Sequence, residues 1–255
     1  MTEGKSTMTQ QPRDGFYDLE VNGEIRVVLD PSLVTMGEPF HDSKFKVFET
    51  LCEGRRLMMG DDPRLAKMPE KPRLLDFFRF RLAKPAVNHL LQSAAKAQRS
   101  GQPEKVVMAC LVHDIAIGGL FPGDHGYWGA QLIEPYVDEE VAWAVRQHQA
   151  VRFFADESVG YDYPSSYTHF FGPDYLPPPY IQEAYKAARA HRWYMSARLI
   201  TLNDLYAFDP ATTVDMEAFT DIVGRHFRQP DEGLGFDNSP AAHMWRAMIW
   251  PHNAL

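Results

Sequence analysis

An apolar run beginning at Val106 closes on the adjacent pair His113-Asp114, with His89 before it and His125, His148 and Asp204 after it. Imidazole and carboxylate groups bind a metal only where several converge, so a chain that uses these six together has few ways to fold. The spacing supplies one of them. Ala86 to Arg99 and Glu104 to Asp114 read as helices joined by the Ser100-Gly101-Gln102-Pro103 break. His89 stands 11 residues before Ser100 and His113 stands 11 after Gln102. An antiparallel hairpin rising ~1.5 Å per residue therefore carries both imidazoles to the same height. Tyr127 to Glu134 and Glu139 to Phe154 repeat the device around Pro135-Tyr136-Val137-Asp138, with His125 10 residues before Pro135 and His148 10 after Asp138. Asp114 points about 100° away from His113 on a helix, so the two can serve separate metals or the carboxylate can bridge them. A lone histidine on an apolar helix is more often a core or surface residue. Four at matched heights, with a His-Asp step among them, make His89, His113, Asp114, His125, His148 and Asp204 the expected ligands of a two-metal site, with His113 and Asp114 as its catalytic centre.

These six residues resemble the metal-binding pattern of the HD-domain superfamily, His…His-Asp…His…His…Asp, over the stretch from Pro85 to Asp209. The resemblance implies an all-α HD-domain helical bundle. Many phosphohydrolases of that superfamily read His-Asp-x-Gly-Lys, where the Lys suits an anionic leaving phosphate; this chain has Ala116 and Ile117 instead. The segment His148 to Phe154 is similar to the His-x-x-x-Lys/Arg-aromatic stretch of the HD-domain oxygenases that cleave organophosphonates, in which the basic residue holds the substrate's anion. His89-Leu90-Leu91-Gln92-Ser93-Ala94 resembles their first-ligand helix. The intervals agree in kind: 24 residues from His89 to His113, 23 from His125 to His148 and 56 from His148 to Asp204. Those oxygenases also carry a Tyr and a Glu ahead of the first histidine that read the substrate. Arg79 and Leu82 stand there in this chain, so a different substrate is expected.

The remainder of the chain bounds the partners. With 45% apolar residues in 255 there is ample material for one core. The net charge of −8, without a Lys/Arg stripe, argues for a small-molecule substrate and against nucleic acid. No apolar run approaches the ~18 residues of a membrane span. Cys52 and Cys110 give no disulfide framework, and a reduced cytoplasmic setting is expected.

Residues 1–72 read as an N-terminal extension and 73–255 as the helical core. Phe16 to Leu29 alternates around Asn22-Gly23, a pair that tolerates the positive φ of a type I′ turn, which predicts a β-hairpin. That hairpin either caps the core or makes a subunit contact, which leaves a homodimer open. Lys44 to Leu51 is a short helical candidate, and Arg55-Arg56 is a solvated patch or an anion-binding loop. Arg73 to Leu82 reads as a buried helix, and Pro179 to Phe208 as one long helix with Asp204 near its end. Asp209, just before Pro210, suits a helix end better than a ligand. Asp215 to Arg228 and Pro240 to Trp250 are further amphipathic helices, with Trp245 and Trp250 as core anchors.

Residues 155–180 read as a lid loop: Tyr161 to Tyr180 holds seven Tyr or Phe and five Pro, too aromatic for disorder. It is either a lid over the metals or an aromatic plug on the core. Ser165, Ser166, Tyr167 and His169 are its polar candidates for substrate contact. Gln92 shares a face with His89 and reads as a contact to ligand or substrate, or as a surface amide. Arg152, one turn past His148, is either the group that forks onto an anion or a surface ion-pair partner.

Three functions follow. The resemblance implies, first, a non-haem oxygenase whose two irons, Fe(II) and Fe(III), use O₂ to oxidise a C–H next to a hydroxyl on a small, polar, anionic substrate. The organophosphonate-cleaving and myo-inositol oxygenases work in this way. The alternative is a phosphohydrolase of the same superfamily holding Mn, Mg, Fe or Zn and acting on a small phosphate ester or nucleotide. The third is a degenerate fold used as a binding module, against which the complete set of six ligands speaks.

Overall fold

The computed structural model describes residues 60–253 and, before them, the backbone of three strands. The chain divides into two compact units, Met1–Glu53 and Gly54–Leu255. In the first, strands β1 (Thr7–Met8), β2 (Phe16–Val21) and β3 (Glu24–Leu29) pair antiparallel in that order. Phe16 lies opposite Leu29 and Val21 opposite Glu24. Asn22-Gly23, the helical candidate at Lys44 to Leu51 and the pair Arg55-Arg56 lie outside the described residues.

In the second unit the described residues are helical, with no β-strand among them. Helix α1 (Leu74–Phe80) starts where the Asp76 carboxylate accepts from the Arg73 N–H at 2.8 Å, and it buries Leu74, Phe77 and Phe78. It ends two residues before the expected Leu82. Arg81 turns aside to donate to the carbonyls of Ile249 and Ala66 at 3.0 and 2.9 Å.

Helix α2 (Lys84–Arg99) carries Pro85 in its first turn, where the missing N–H has no partner to lose. It stops in a glycine cap. Gly101 takes φ +66°, and the N–H groups of Gln102 and Gly101 return to the carbonyls of Ala97 and Gln98. Helix α3 (Glu104–Val112) follows at once, and every residue from Val106 to Val112 is buried. Such a helix has no solvent face and must sit inside the bundle. It packs against α2, α6 (Glu139–Val151), α9 (Tyr194–Asp204) and α10 (Thr220–His226).

A short helix α4 (Ile115–Gly119) leads to α5 (His125–Ile133), which begins two residues before the expected Tyr127. Helices α5 and α6 approach so closely at Gly126 that a Cβ there would stand 3.0 Å from the Arg146 carbonyl. The Asp138 side chain caps α6 by accepting from the Glu140 N–H at 2.9 Å. The expected lid loop contains a helix of its own, α7 (Ser165–Phe171).

The long helix expected from Pro179 to Phe208 is two, α8 (Pro179–Arg189) and α9, with a turn at residues 190–193. At that turn His191 stacks on Trp143, ring centroids 4.2 Å apart, so an aromatic contact interrupts a stretch with no Gly or Pro. Helix α11 (Ala242–Ile249) closes the core. Its Trp245 is fully buried, edge-on to Phe77 at 4.7 Å, and donates its indole N–H to the Leu132 carbonyl.

Candidate metal centre

The two hairpins bring their histidines level. The α2–α3 pair sets His89 Nε2 and His113 Nε2 3.2 Å apart, and the α5–α6 pair sets the rings of His125 and His148 at 5.2 Å. His113 and His148 are in turn 5.1 Å apart between ring centroids, so the four imidazoles form one cluster.

Asp114 stands at its centre. Helix α3 ends at Val112, and Asp114 adopts φ −105°, ψ 17°, outside any helix. Its two oxygens then face different ways. Oδ1 lies 3.3 Å from His125 Nε2 and 3.4 Å from His148 Nε2; Oδ2 lies 3.6 Å from His89 Nε2 and 3.5 Å from His113 Nε2. Asp204, the last residue of α9, adds an oxygen 3.2 Å from His89 Nε2 and 3.9 Å from His113 Nε2. Two groups of metal-ligating atoms result, His89, His113 and Asp114 in one and Asp114, His125 and His148 in the other, each compact enough to hold an ion.

The hydrogen bonds behind the rings decide what the cluster can accept. His113, His125 and His148 each donate Nδ1–H to the carbonyl three residues earlier, Cys110, Pro122 and Val145, at 2.8, 3.1 and 2.6 Å; His89 donates to Ala207 at 3.0 Å. Backbone carbonyls accept only, so each Nε2 is left as a lone pair turned inward. Asp114 Oδ1 and His148 Nε2 are buried without a hydrogen-bond partner. Imidazole nitrogens gathered around two carboxylates make a setting suited to a cation. Fixing each ring from behind is what metal-ligating histidines require.

The electrostatics point the same way. Burial opposes charge on His113, but the carboxylates of Asp114 and Asp204 outweigh it and raise its pKa to about 9. Burial, and next the proximity of His148, push His125 down to about 3, and burial lowers His148. Burial also resists ionisation of Asp114 and Asp204, yet the imidazoles beside them hold both below the usual carboxylate range. The two carboxylates thus draw positive charge to one point. Asp114 is the most exposed of the six, with 15% of its side chain accessible.

The other expected contacts divide. Arg152 follows the last residue of α6, with Nη1 3.5 Å from His125 Nε2 and its guanidinium over the rings of Phe153 and Tyr167 at 5.1 and 5.4 Å. Among the described residues no carboxylate lies within ion-pair distance of it, and its Nε is buried without a partner. Gln92 is buried and its side chain is taken up by backbone. Its amide donates to the carbonyls of Asp209 and Thr212 at 2.6 and 2.9 Å and accepts from the Asp209 N–H at 3.0 Å, so every polar atom on it holds the turn after α9. Ser165, Ser166 and His169 are exposed on α7, and His169 packs edge-on against Phe170. It is Tyr167 of that helix that covers Arg152. Asp209 caps its own turn by accepting from the Ala211 N–H at 2.9 Å.

Two neighbours were not legible in the sequence. Phe208 stacks on His89, ring centroids 4.2 Å apart and planes 16° apart, and buried Arg198 lies under the ring of Tyr161 at 4.5 Å. A cavity of about 680 Å³ opens against His89, with Arg79, Leu82, Lys84 and Phe208 on its wall.

No protein-family model matches the chain. Over 74 residues it is 32% identical to a [1-hydroxy-2-(trimethylamino)ethyl]phosphonate dioxygenase (glycine-betaine-forming) of Leisingera caerulea, a match covering 25% of this chain and 38% of that protein. The likeness therefore spans well under half of either sequence.

Proposed function

We propose that the chain is a metal-dependent oxygenase with an HD-domain helical bundle, using two irons and O₂ to oxidise a C–H beside a hydroxyl on a small anionic substrate. The observation that carries the two-metal reading is the Asp114 carboxylate, one oxygen toward each histidine pair. Similarity to a phosphonate dioxygenase, and Ala116-Ile117 where many of the phosphohydrolases carry Gly-Lys, favour oxidation over hydrolysis. A mixed-valent Fe(II)/Fe(III) pair, when bound, supplies the one-electron exchange with O₂ that a redox-silent metal lacks.

The residues of the chain do the rest. His89, His113, Asp204 and one oxygen of Asp114 form a four-donor half, while His125, His148 and the other oxygen form a three-donor half. The half with fewer protein donors is the one that keeps a position for a substrate oxygen, as catalytic metal sites do. Arg152 stands beside that half and is the group to hold the substrate's anion through its fork of N–H donors. Tyr167 and Phe153 flank its guanidinium, which reduces the water around a charged contact. The backbone carbonyls behind the histidines keep the Nδ1 protons in place throughout.

The same donor set also suits Mn, Mg or Zn, and with those metals the site is that of a phosphohydrolase. Metal analysis with electron paramagnetic resonance separates the two. Two irons per chain and a mixed-valent signal are expected; a redox-silent metal accompanied by phosphatase activity overturns the oxygenase.

A further inference from the structure

Arg198 lies in the middle of α9 with its side chain wholly buried. A buried guanidinium persists only where it is paired and hydrogen-bonded, and ion pairs of this kind add little stability over well-packed apolar groups. What Arg198 holds is therefore more informative than what it stabilises. Its Nη2 donates to the Phe154 carbonyl and its Nε to the Tyr194 hydroxyl, both at 3.0 Å. That hydroxyl donates onward to Asp156 Oδ2 at 2.6 Å, and Arg198 Nε stands 4.0 Å from the same oxygen. The guanidinium also lies 4.5 Å from the centroid of Tyr161, whose hydroxyl donates to the Arg152 carbonyl at 2.7 Å. Asp156 and Tyr161 exchange backbone hydrogen bonds of 2.7 and 3.1 Å, closing residues 156–161 into a tight loop.

Helix α6 ends at Val151, so the backbone that carries Arg152 has no following helical turn to hold it. One buried cation supplies that hold twice: directly at Phe154, and through Tyr161 at the carbonyl of Arg152 itself. The cation stands on α9, the helix that ends in Asp204.

We infer that Arg198 is a positioning residue for Arg152, setting where its guanidinium stands relative to the His125–His148 half of the cluster. This rests on the proposal that Arg152 holds the substrate's anion. The sequence carries no sign of it, since a single Arg in a helix reads as surface. The role appears only once residues 44 positions apart, Phe154 and Arg198, are seen to touch.

The test uses the full chain with its metal and inorganic phosphate as the probe, titrated calorimetrically, with metal content followed in parallel. Arg198→Lys keeps the charge but cannot reach both Phe154 and Tyr194 while lying flat on Tyr161. It should weaken phosphate about tenfold without releasing metal, as small displacements of a contact group do. Arg152→Ala should weaken phosphate at least as much, and the double variant should bind no more weakly than Arg152→Ala alone, because Arg198 acts through Arg152. If Arg198→Lys does not fold, Tyr161→Phe, which deletes one hydroxyl, decides in its place by a loss of a few fold that vanishes in the Arg152→Ala background. Full phosphate affinity in the deciding variant, or losses that simply add, overturns the inference while leaving Arg152 its role. Unchanged affinity in Arg152→Ala overturns that role and this inference with it.

Discussion

On the α2–α3 side of the cluster, His89 and His113 face one oxygen of Asp114 and have Asp204 within reach, with Phe208 stacked over His89. On the α5–α6 side, His125 and His148 share the other oxygen of Asp114 and, among the described residues, have no second carboxylate; Arg152, its guanidinium against the ring of Tyr167, stands beside His125 instead. The two hairpins are built alike, and their difference lies in what the rest of the chain brings to each. Under the function proposed above, one half supplies four donors to an ion and the other leaves room for a ligand that exchanges.

Removing the shared residue should abolish the comparison outright. Asp114→Ala takes an oxygen from both halves, so loss of most bound metal and of all turnover is expected; elemental analysis showing full occupancy would falsify the site. Removing the residue peculiar to one half should sharpen it. Asp204→Asn should lower metal content toward one ion per chain and abolish activity, whereas Asp209→Asn, whose carboxylate serves only its own turn, should change neither. The reverse pattern would move the sixth ligand to Asp209.

Arg152→Ala should touch the exchanging half alone. Loss of a bidentate charge-assisted contact costs about 1.5–3 kcal/mol, roughly ten- to more than hundredfold in kcat/KM, with both metals retained. Arg152→Lys should recover part of it, because the charge remains and the fork does not. Normal kinetics in Arg152→Ala on an identified anionic substrate would leave the guanidinium with a structural task only. The smallest effect is expected where the second hairpin is tightest: Gly126→Ala pushes a Cβ against the carbonyls of Arg146 and Val145, which overpacking makes worth about 1–3 kcal/mol. A thermal melt should show that loss with phosphate affinity moving little, and an unchanged melt would mean the two helices give way freely.

Much of the centre was legible because it is built from local geometry. Equal counts on either side of two breaks are enough to level four histidines, since helix rise is the same everywhere. The way Asp114 divides its two oxygens between the histidine pairs was not legible. A continuous helix through Asp114 suggested a 100° divergence from His113, yet the helix ends at Val112 and a turn sends the two oxygens to opposite pairs. Gln92 shares a helix face with His89 as expected, but its partners are 117 and 120 residues away, and no periodicity reports them. The break between α8 and α9 was hidden for a similar reason: His191 leaves the helix for a stacking contact with Trp143, and residues with good helical spacing continue on both sides. Helix α7 is seven residues long within a Pro-rich segment, too short for its pattern to rise above its surroundings.

Helix α3 is buried along its whole length from Val106, and it delivers His113 and Asp114. Between Val106 and Val112 a larger side chain would have to be accommodated among the four helices packed around it. Residues 155–180 carry much of their aromatic surface near solvent, with Phe170 73% and Tyr180 58% exposed. The two regions therefore differ in how much room a new side chain would find. Under the function proposed above, residues 155–180 could be rewritten for another substrate with the six ligating side chains left in place, whereas a change at the ligands would have to begin beside the helix with least room to vary.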